Sequence, residues 1–421
     1  MQKNMITNFT KLDFLKIYFI FIFITFVISA IFTHLLIQAY PDLITSNNNL
    51  QIKNIPFGYG DLIYNLVNTK QYVTEEFGVE MYLSRLPVLP IIISFFYTIS
   101  KNIYFIVIVK NIILFSVFFY CAIIFTFSHK LQKKHLILLL IIFLYNPYNL
   151  IVNLNFLYAD FLIGVLVPSL FLMCVSTNKS KYLISAIIIF ILYLSKTNIF
   201  FLSLSLPFFI FIIEKNNKKF LPLVGLFLAV SIWSVFGLIK TDRIPFGPSH
   251  ITINSWGMSH VLNKEFKTTY PQKTVDHINF KDKNKKFEKE WDFYDFYNQR
   301  NILYIKNNKK DFIENIFLKV KFIFTDIYVD GSQSKNNMDT SEIRFSSILN
   351  KILFNISLII LFYNFYKLLR YKKFEKIDLY FLIFIIMYLF PLIIGWATSK
   401  HLVGIFITSK FYLMMRYLKT N

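Results

Sequence analysis

IYFIVIVKNIILFSVFFYCAIIFTFSHKLQKK, residues 103–134, decides the fold class and its orientation together. Ile103 to Ser128 is a clear apolar span carrying one charge, Lys110. It exceeds the roughly 20 residues that carry a helix across a hydrocarbon core. His129, Lys130, Lys133 and Lys134 follow at once. A basic knot beside a span marks the cytoplasmic side, so this helix is expected to run from outside to inside.

Upstream lies PVLPIIISFFYTIS, residues 87–100, which opens on Pro87 and Pro90 and ends at Lys101-Asn102. It is apolar but too short to cross, so an interfacial helix is expected. The alternation agrees. Helix one, from Phe14 to Gln38, has Lys3, Lys11 and Lys16 on its N-terminal side and goes out. The 103–128 helix then comes back. A crossing at 87–100 would put the basic knot outside. Residues 38–102 therefore form the first outer loop, rich in Asn and carrying Pro56, Gly58 and Gly60. No small-residue cleavage site follows the first apolar run, which is read as a retained helix.

Downstream the alternation continues. Leu136 to Leu150 goes out, and Asp160 opens the return, which ends at Asn178-Lys179-Ser180-Lys181. Residues 182–194 go out to Ser195-Lys196-Thr197-Asn198, and Phe200–Ile213 returns to Glu214, Lys215, Lys218 and Lys219. Phe220–Leu238 goes out to a long outer region, 239–345. That region holds Trp256, a mixed-charge stretch near 281–291 and the amphipathic segment DFIENIFLKVKFIFTDIY (311–328). The last is expected to lie on the membrane surface. Ile348–Tyr366 returns to Lys367, Arg370, Lys372, Lys373 and Lys376. Leu379–Ile394 goes out, Trp396–His401 turns, and Leu402–Arg416 returns. The expected fold is an all-α polytopic membrane protein. About ten transmembrane helices, by the positive-inside alternation, form a single domain over residues 1–421 with both ends in the cytoplasm.

Composition agrees. The chain is 55% hydrophobic and 19% aromatic, with a mean hydropathy of +0.51, above a soluble norm of about half apolar. Continuous rather than alternating runs exclude a membrane β-barrel. The formal charge of +21 is mostly lysine flanking helices, which topology explains, so no nucleic-acid partner is expected. Cys121 and Cys174 both fall inside apolar runs, which argues against a disulfide framework.

Two carboxylates fall on the expected outer face, each beside a membrane boundary. Asp61 sits in GYGDLIYNLVNTKQY, near an expected helix start, where the helix dipole favours a carboxylate. Tyr64 follows three residues later. Asp160 sits in NLNFLYADFLIGVL at a span entrance, where a charge is costly unless it faces water, a cavity or a partner. For both, a plain helix cap is the competing reading. Arg85, Lys196, Lys400 and His401 lie at other outer helix ends. Together they could bind a lipid phosphate; singly, each reads as a snorkelling or headgroup contact. Lys110, within a span, must snorkel or face a cavity. The seven histidines form no cluster with metal-ligand spacing.

The order of these residues resembles the GT-C class of membrane glycosyltransferases, nearest the protein O-mannosyltransferase and aminoarabinose transferase group. GDLIYNLV…YLSRLPVLPIIISFFY is the most specific match; LYLSKTNIFFLSLSLPFF and PLIIGWATSKHLV resemble two later stretches. The likeness covers most of residues 14–417. It implies a polyprenyl-phosphate-linked sugar as donor, a glycan, lipid or protein acceptor, and an active site facing the periplasm from a bacterial inner membrane. By the same likeness Asp61 is the catalytic base and Asp160 the second acid. Arg85 and Lys196 stabilise the leaving phosphate, Tyr64 and Tyr82 add hydrogen bonds, and Lys400 and His401 join the substrate site. The chain departs from the pattern at Leu86, where a first proline is common, at Lys196, where arginine is common, and at Ser84, where an acid sometimes binds a cation. Glu75, Glu76 or Glu80 are the substitutes for that acid, and a divalent cation stays an open cofactor. The other readings are a flippase or transporter of lipid-linked glycans, which would place charges near the bilayer midplane, and a surface-polysaccharide ligase or polymerase.

Overall fold

The computed structural model describes residues 11–39, 41–55, 59–76, 78–144, 159–196, 199–245, 247–249, 287–325, 341–371, 375–394 and 402–420. Helices dominate them. The long apolar runs become α1 (Lys11–Ala39), α4 (Ile103–Ser128), α9 (Leu221–Thr241), α12 (Ser341–Tyr371) and α13 (Lys376–Ile394). Within these five, or overlapping them, lie the stretches long and apolar enough to cross a membrane. A second set is apolar but shorter: α3 (Val88–Ile99), α6 (Asp160–Val175), α7 (Lys181–Tyr193) and α8 (Phe200–Ile213). The others are α2 (Tyr59–Asn68), α5 (Lys133–Leu144), α10 (Glu290–Asn307), α11 (Lys309–Thr325) and α14 (Val403–Thr420).

The multi-pass helical architecture is therefore present, with five helices of spanning length among the described residues against the ten crossings expected. The expected crossing at 136–150 is helical to Leu144, and its remainder lies outside the described residues. The expected amphipathic segment 311–328 is α11, with residues 326–328 outside the described set. An antiparallel hairpin, β1 (Thr74–Glu76) with β2 (Val79–Met81), adds a small strand pair that the all-helical reading did not include. Gly78 takes φ +75° there, as a tight hairpin turn demands.

Exposed faces follow the apolar pattern. Phe19 and Phe23 of α1 and Phe227 and Ile239 of α9 are all more than 60% exposed, as apolar side chains are where a helix meets lipid or a partner rather than water. On α3 the exposed large apolar residues are Ile91, Phe95 and Ile99, four apart and so on one face. At 12 residues α3 rises about 18 Å, short of a crossing. The helix is short and apolar, with one exposed apolar stripe.

Inside the bundle, packing relies on aromatic stacking and small residues. Phe118 stacks on Phe143 at 3.7 Å and on Phe411 at 5.6 Å. Gly225 of α9 lies against the Ala186 backbone of α7; a Cβ there would come within 2.3 Å of the Ala186 carbonyl oxygen. Without a hydrophobic drive between helices in lipid, such close approach is what binds them. Asn111 of α4 donates to Ser29 of α1 at 2.9 Å, a polar tie inside the same bundle.

One polar layer levels several helix ends. The Glu214 carboxylate, just past α8, accepts from Lys181 (2.9 Å), Tyr182 (3.0 Å) and Tyr380 (2.9 Å) and pairs with Lys376. Burial alone would raise this carboxyl, but hydrogen bonds and charge from Lys181 and Lys376 outweigh burial and hold it down to about 2. Lys181 also donates to the Ser176 carbonyl, His129 to the Val175 carbonyl and Thr177 to the Ser128 carbonyl. The ends of α4, α6 and α8 and the starts of α7 and α13 thus share a level. Nearby, Asp378 accepts from Tyr412 and Arg416, both at 2.7 Å, which joins α13 to α14.

Candidate functional site

Helix length sets the depth of the site. Counted from the polar layer, α7 and α8, with 13 and 14 residues, rise about 20 Å. The 16 residues of α6 rise about 24 Å, whereas the 26 of α4 rise about 39 Å. Along their own axes α6 and α7 are therefore much shorter than α4. At their far ends stand Asp160, the first residue of α6, and Lys196, just past α7.

Lys196 Nζ donates to Asp160 Oδ1 at 2.5 Å. The carboxylate side chain is 1% exposed and the lysine 17%. Asp160 is thus no simple helix cap: Ala159 holds that position, and the acid is committed to a partner 36 positions on. The sequence anticipated both residues but not their pairing. Tyr388 of α13 stands within electrostatic reach of Asp160. It also contacts the α14 backbone, since a Cβ at Gly404 would lie 3.1 Å from its hydroxyl.

The first loop covers this end. The Val88 amide at the start of α3 donates to the Leu194 carbonyl, two residues before Lys196 (3.2 Å). Arg85, in the turn leading into α3, pairs with Glu76 of β1 at 3.3 Å and lies over the Tyr59 ring of α2 at 5.9 Å. The Tyr72 hydroxyl donates to the Arg85 carbonyl at 3.1 Å. The Val88–Leu194 hydrogen bond therefore joins the segments that carry Arg85 and Lys196. Glu76, one of the acids considered for a cation, is engaged with Arg85. Among the described residues no group of three or more His, Cys, Asp or Glu side chains is placed to hold a metal.

Asp61 is the third residue of α2, in its first turn, and exposed. Its helix packs on α3, so it belongs to the same covered end while its carboxylate faces outward. The structure does not set it against Asp160: one acid is open and the other buried. Tyr64 is exposed, with Lys53 Nζ 4.2 Å over its ring. The Tyr82 hydroxyl donates to Glu80 at 3.1 Å. Lys400 and His401 lie outside the described residues.

Two contributors were not legible in the sequence. The first is Glu290 of α10, 3% exposed, whose carboxylate accepts the Tyr82 and Leu83 amides at 2.9 Å and the Ser249 hydroxyl. Burial pushes its carboxyl up; the three hydrogen bonds lower it, and the nearby Glu76 charge raises it further. Glu290 thus pins the start of α10 and Ser249 beside the chain leading to Arg85. The second is the setting of Lys110, which is 1% exposed and directs Nζ at the Phe161 ring, 4.1 Å from its centroid. It faces the bundle interior rather than snorkelling.

Searches against protein-family models, curated proteins and solved structures find no match to this chain.

Proposed function

We propose that the chain is a membrane glycosyltransferase that moves a sugar from a polyprenyl-phosphate donor to an acceptor at the outer face of a bacterial cytoplasmic membrane. The observation that carries this reading is the buried Asp160–Lys196 pair, near the junction where the Val88 amide of α3 meets the Leu194 carbonyl. An acid and a base paired at the ends of apolar helices suit a substrate with a lipid tail and a phosphate head. The two resemble the acid and the basic residue at matching places in the GT-C pattern.

In this reading Asp61, open to the aqueous side, takes the proton from the acceptor hydroxyl or amine. The acceptor atom forms its bond to the anomeric carbon as the bond from that carbon to the phosphate oxygen breaks. The electron pair leaves with the polyprenyl phosphate, whose growing charge Arg85 and Lys196 stabilise. Asp160 holds Lys196 in place, and Tyr64 and Tyr82 contribute hydrogen bonds to the sugar or acceptor. A flippase of lipid-linked glycans is the second reading, favoured by one observation: Lys110 is an ionisable residue inside a span.

The test is transfer of radiolabelled sugar from polyprenyl-phosphate donors by purified wild type and Asp61→Asn. Turnover present in wild type and lost in the variant supports the assignment. Near-normal turnover in Asp61→Asn removes Asp61 as base. Absence of turnover with every donor, alongside passage of lipid-linked glycan across a liposome membrane, favours the flippase.

A further inference from the structure

The amphipathic helix α11 is tied to the bundle at both of the long helices it packs against, α12 and α13. Lys319 Nζ donates to the carbonyl of Ile394, the last residue of α13, at 3.1 Å. Lys351 Nζ of α12 donates to the Ile323 carbonyl of α11 at 2.6 Å. Asn355, one turn further along α12, donates to the Phe324 carbonyl at 3.3 Å. Both lysines are 4% exposed, and each ammonium sits at a helix C-terminus, where the dipole favours a cation. These ties fix a level. Ile394 closes the apolar stretch Lys376–Ile394, and Lys351 stands near the start of the stretch Ile348–Lys367. Both stretches are long and apolar enough to cross a membrane. The C-terminal half of α11 therefore lies across the ends of two candidate spans. For helices that cross, that depth is the boundary between hydrocarbon and headgroups.

The face of α11 turned away from the bundle fits such a boundary. Ile313 (52%), Phe317 (68%) and Leu318 (41%) are exposed, at helical spacing on one face. Lys310 and Lys321 stand on the same face at either end of this stripe, and Lys306 and Lys309 flank the joint between α10 and α11; all four are exposed. Over residues 306–321 these four lysines stand against two exposed acids, Asp311 and Glu314. Lys310 reaches Glu314 at 4.0 Å, with side chains 89% and 52% exposed, and so open a pair is weak enough to exchange for another anion. An apolar stripe bracketed by long basic side chains suits a bilayer surface: rings enter the acyl boundary while ammonium groups reach phosphate. We propose that the outward face of α11 docks on anionic phospholipid headgroups of the membrane that holds the bundle, with Phe317 entering the acyl region and Lys309 and Lys310 drawing phosphate. This lipid surface stands apart from the transferase reading.

The test places a fluorophore on the stripe. Cys121 and Cys174 are buried, so a thiol-reactive bimane on the Phe317→Cys protein reports from position 317. The protein sits in phosphatidylcholine nanodiscs doped with a small, equal fraction of nitroxide-labelled phosphatidylglycerol or nitroxide-labelled phosphatidylcholine. Lipid nitroxides are expected to quench the bimane more than aqueous iodide does. The phosphatidylglycerol is expected to quench about fivefold more strongly than the phosphatidylcholine, the ratio that one basic residue near an anionic surface supplies. With Lys309→Gln and Lys310→Gln added, the two lipids are expected to quench alike. Stronger quenching by iodide than by either lipid overturns the proposal. Equal quenching by the two lipids with the native lysines overturns it as well, and so does a phosphatidylglycerol excess that survives both lysine substitutions. Shielding from lipid and iodide alike also sinks it: lost in single-copy nanodiscs, it gives the face to a second copy of the chain, and kept there, to another segment of the same chain.

Discussion

Asp61 and Asp160 look alike in the sequence, as acids at helix starts on one expected face, and differ sharply in the folded chain. Asp61 is exposed, so Asp61→Asn should change stability by no more than ~0.5 kcal/mol while abolishing transfer. Unfolding in a denaturant titration checks the first part and turnover the second. Asp160→Asn removes the charge from a buried pair and leaves Lys196 uncompensated, which costs about 3–5 kcal/mol. The expected result is a clearly lower unfolding midpoint as well as lost activity; an unchanged midpoint would mean that the pair is not formed. Arg85→Ala strips a partner from Glu76 and a cation from the covered end. It should raise the apparent donor Kd about tenfold or more, and an unaltered donor affinity would take Arg85 out of the phosphate site.

Among the elements, α6 and α7 matter most, because their ends carry Asp160 and lead into Lys196. A largely apolar helix of 13 residues such as α7 reads in the sequence as a marginal span. Its length becomes meaningful only once Glu214 ties its start to the same level as the ends of its longer neighbours. Contact between α7 and α9 then fixes the helix laterally through Gly225. Gly225→Val places a branched side chain against backbone that cannot yield, and overpacking of this kind costs about 1–3 kcal/mol. The expected outcome is a lower melting temperature in detergent. Unchanged melting would show that α7 and α9 can separate without loss.

Across the whole molecule, two buried carboxylates hold distant parts together. Glu214 joins α7, α8 and α13, and its loss in Glu214→Ala leaves Lys181 uncompensated. A cost of about 3–5 kcal/mol is expected, read as a lower unfolding midpoint. Glu290 joins α10 to the first loop, and its carboxyl is raised by burial. A raised folded value means that the docked state binds more protons than the undocked one. Docking is therefore strongest below the ordinary glutamate range and weakens as pH climbs through the raised value. Protection of the 287–297 segment from proteolysis should fall across that window in wild type. In Glu290→Gln it should be flat with pH.

The sequence alone determined the apolar multi-pass character, the helical architecture and the acids and bases worth watching. All of these follow from apolar run length, proline placement and the local position of charge, which are properties of neighbouring residues. It did not determine that Lys196 meets Asp160, that Lys110 turns inward onto Phe161, or that Glu290 reaches back some 200 positions to Tyr82 and Leu83. Those contacts depend on which helices become neighbours and at what height their ends are levelled. A buried charge has a partner only after packing has excluded water and brought a distant chain segment within reach, so only the tertiary structure could decide them.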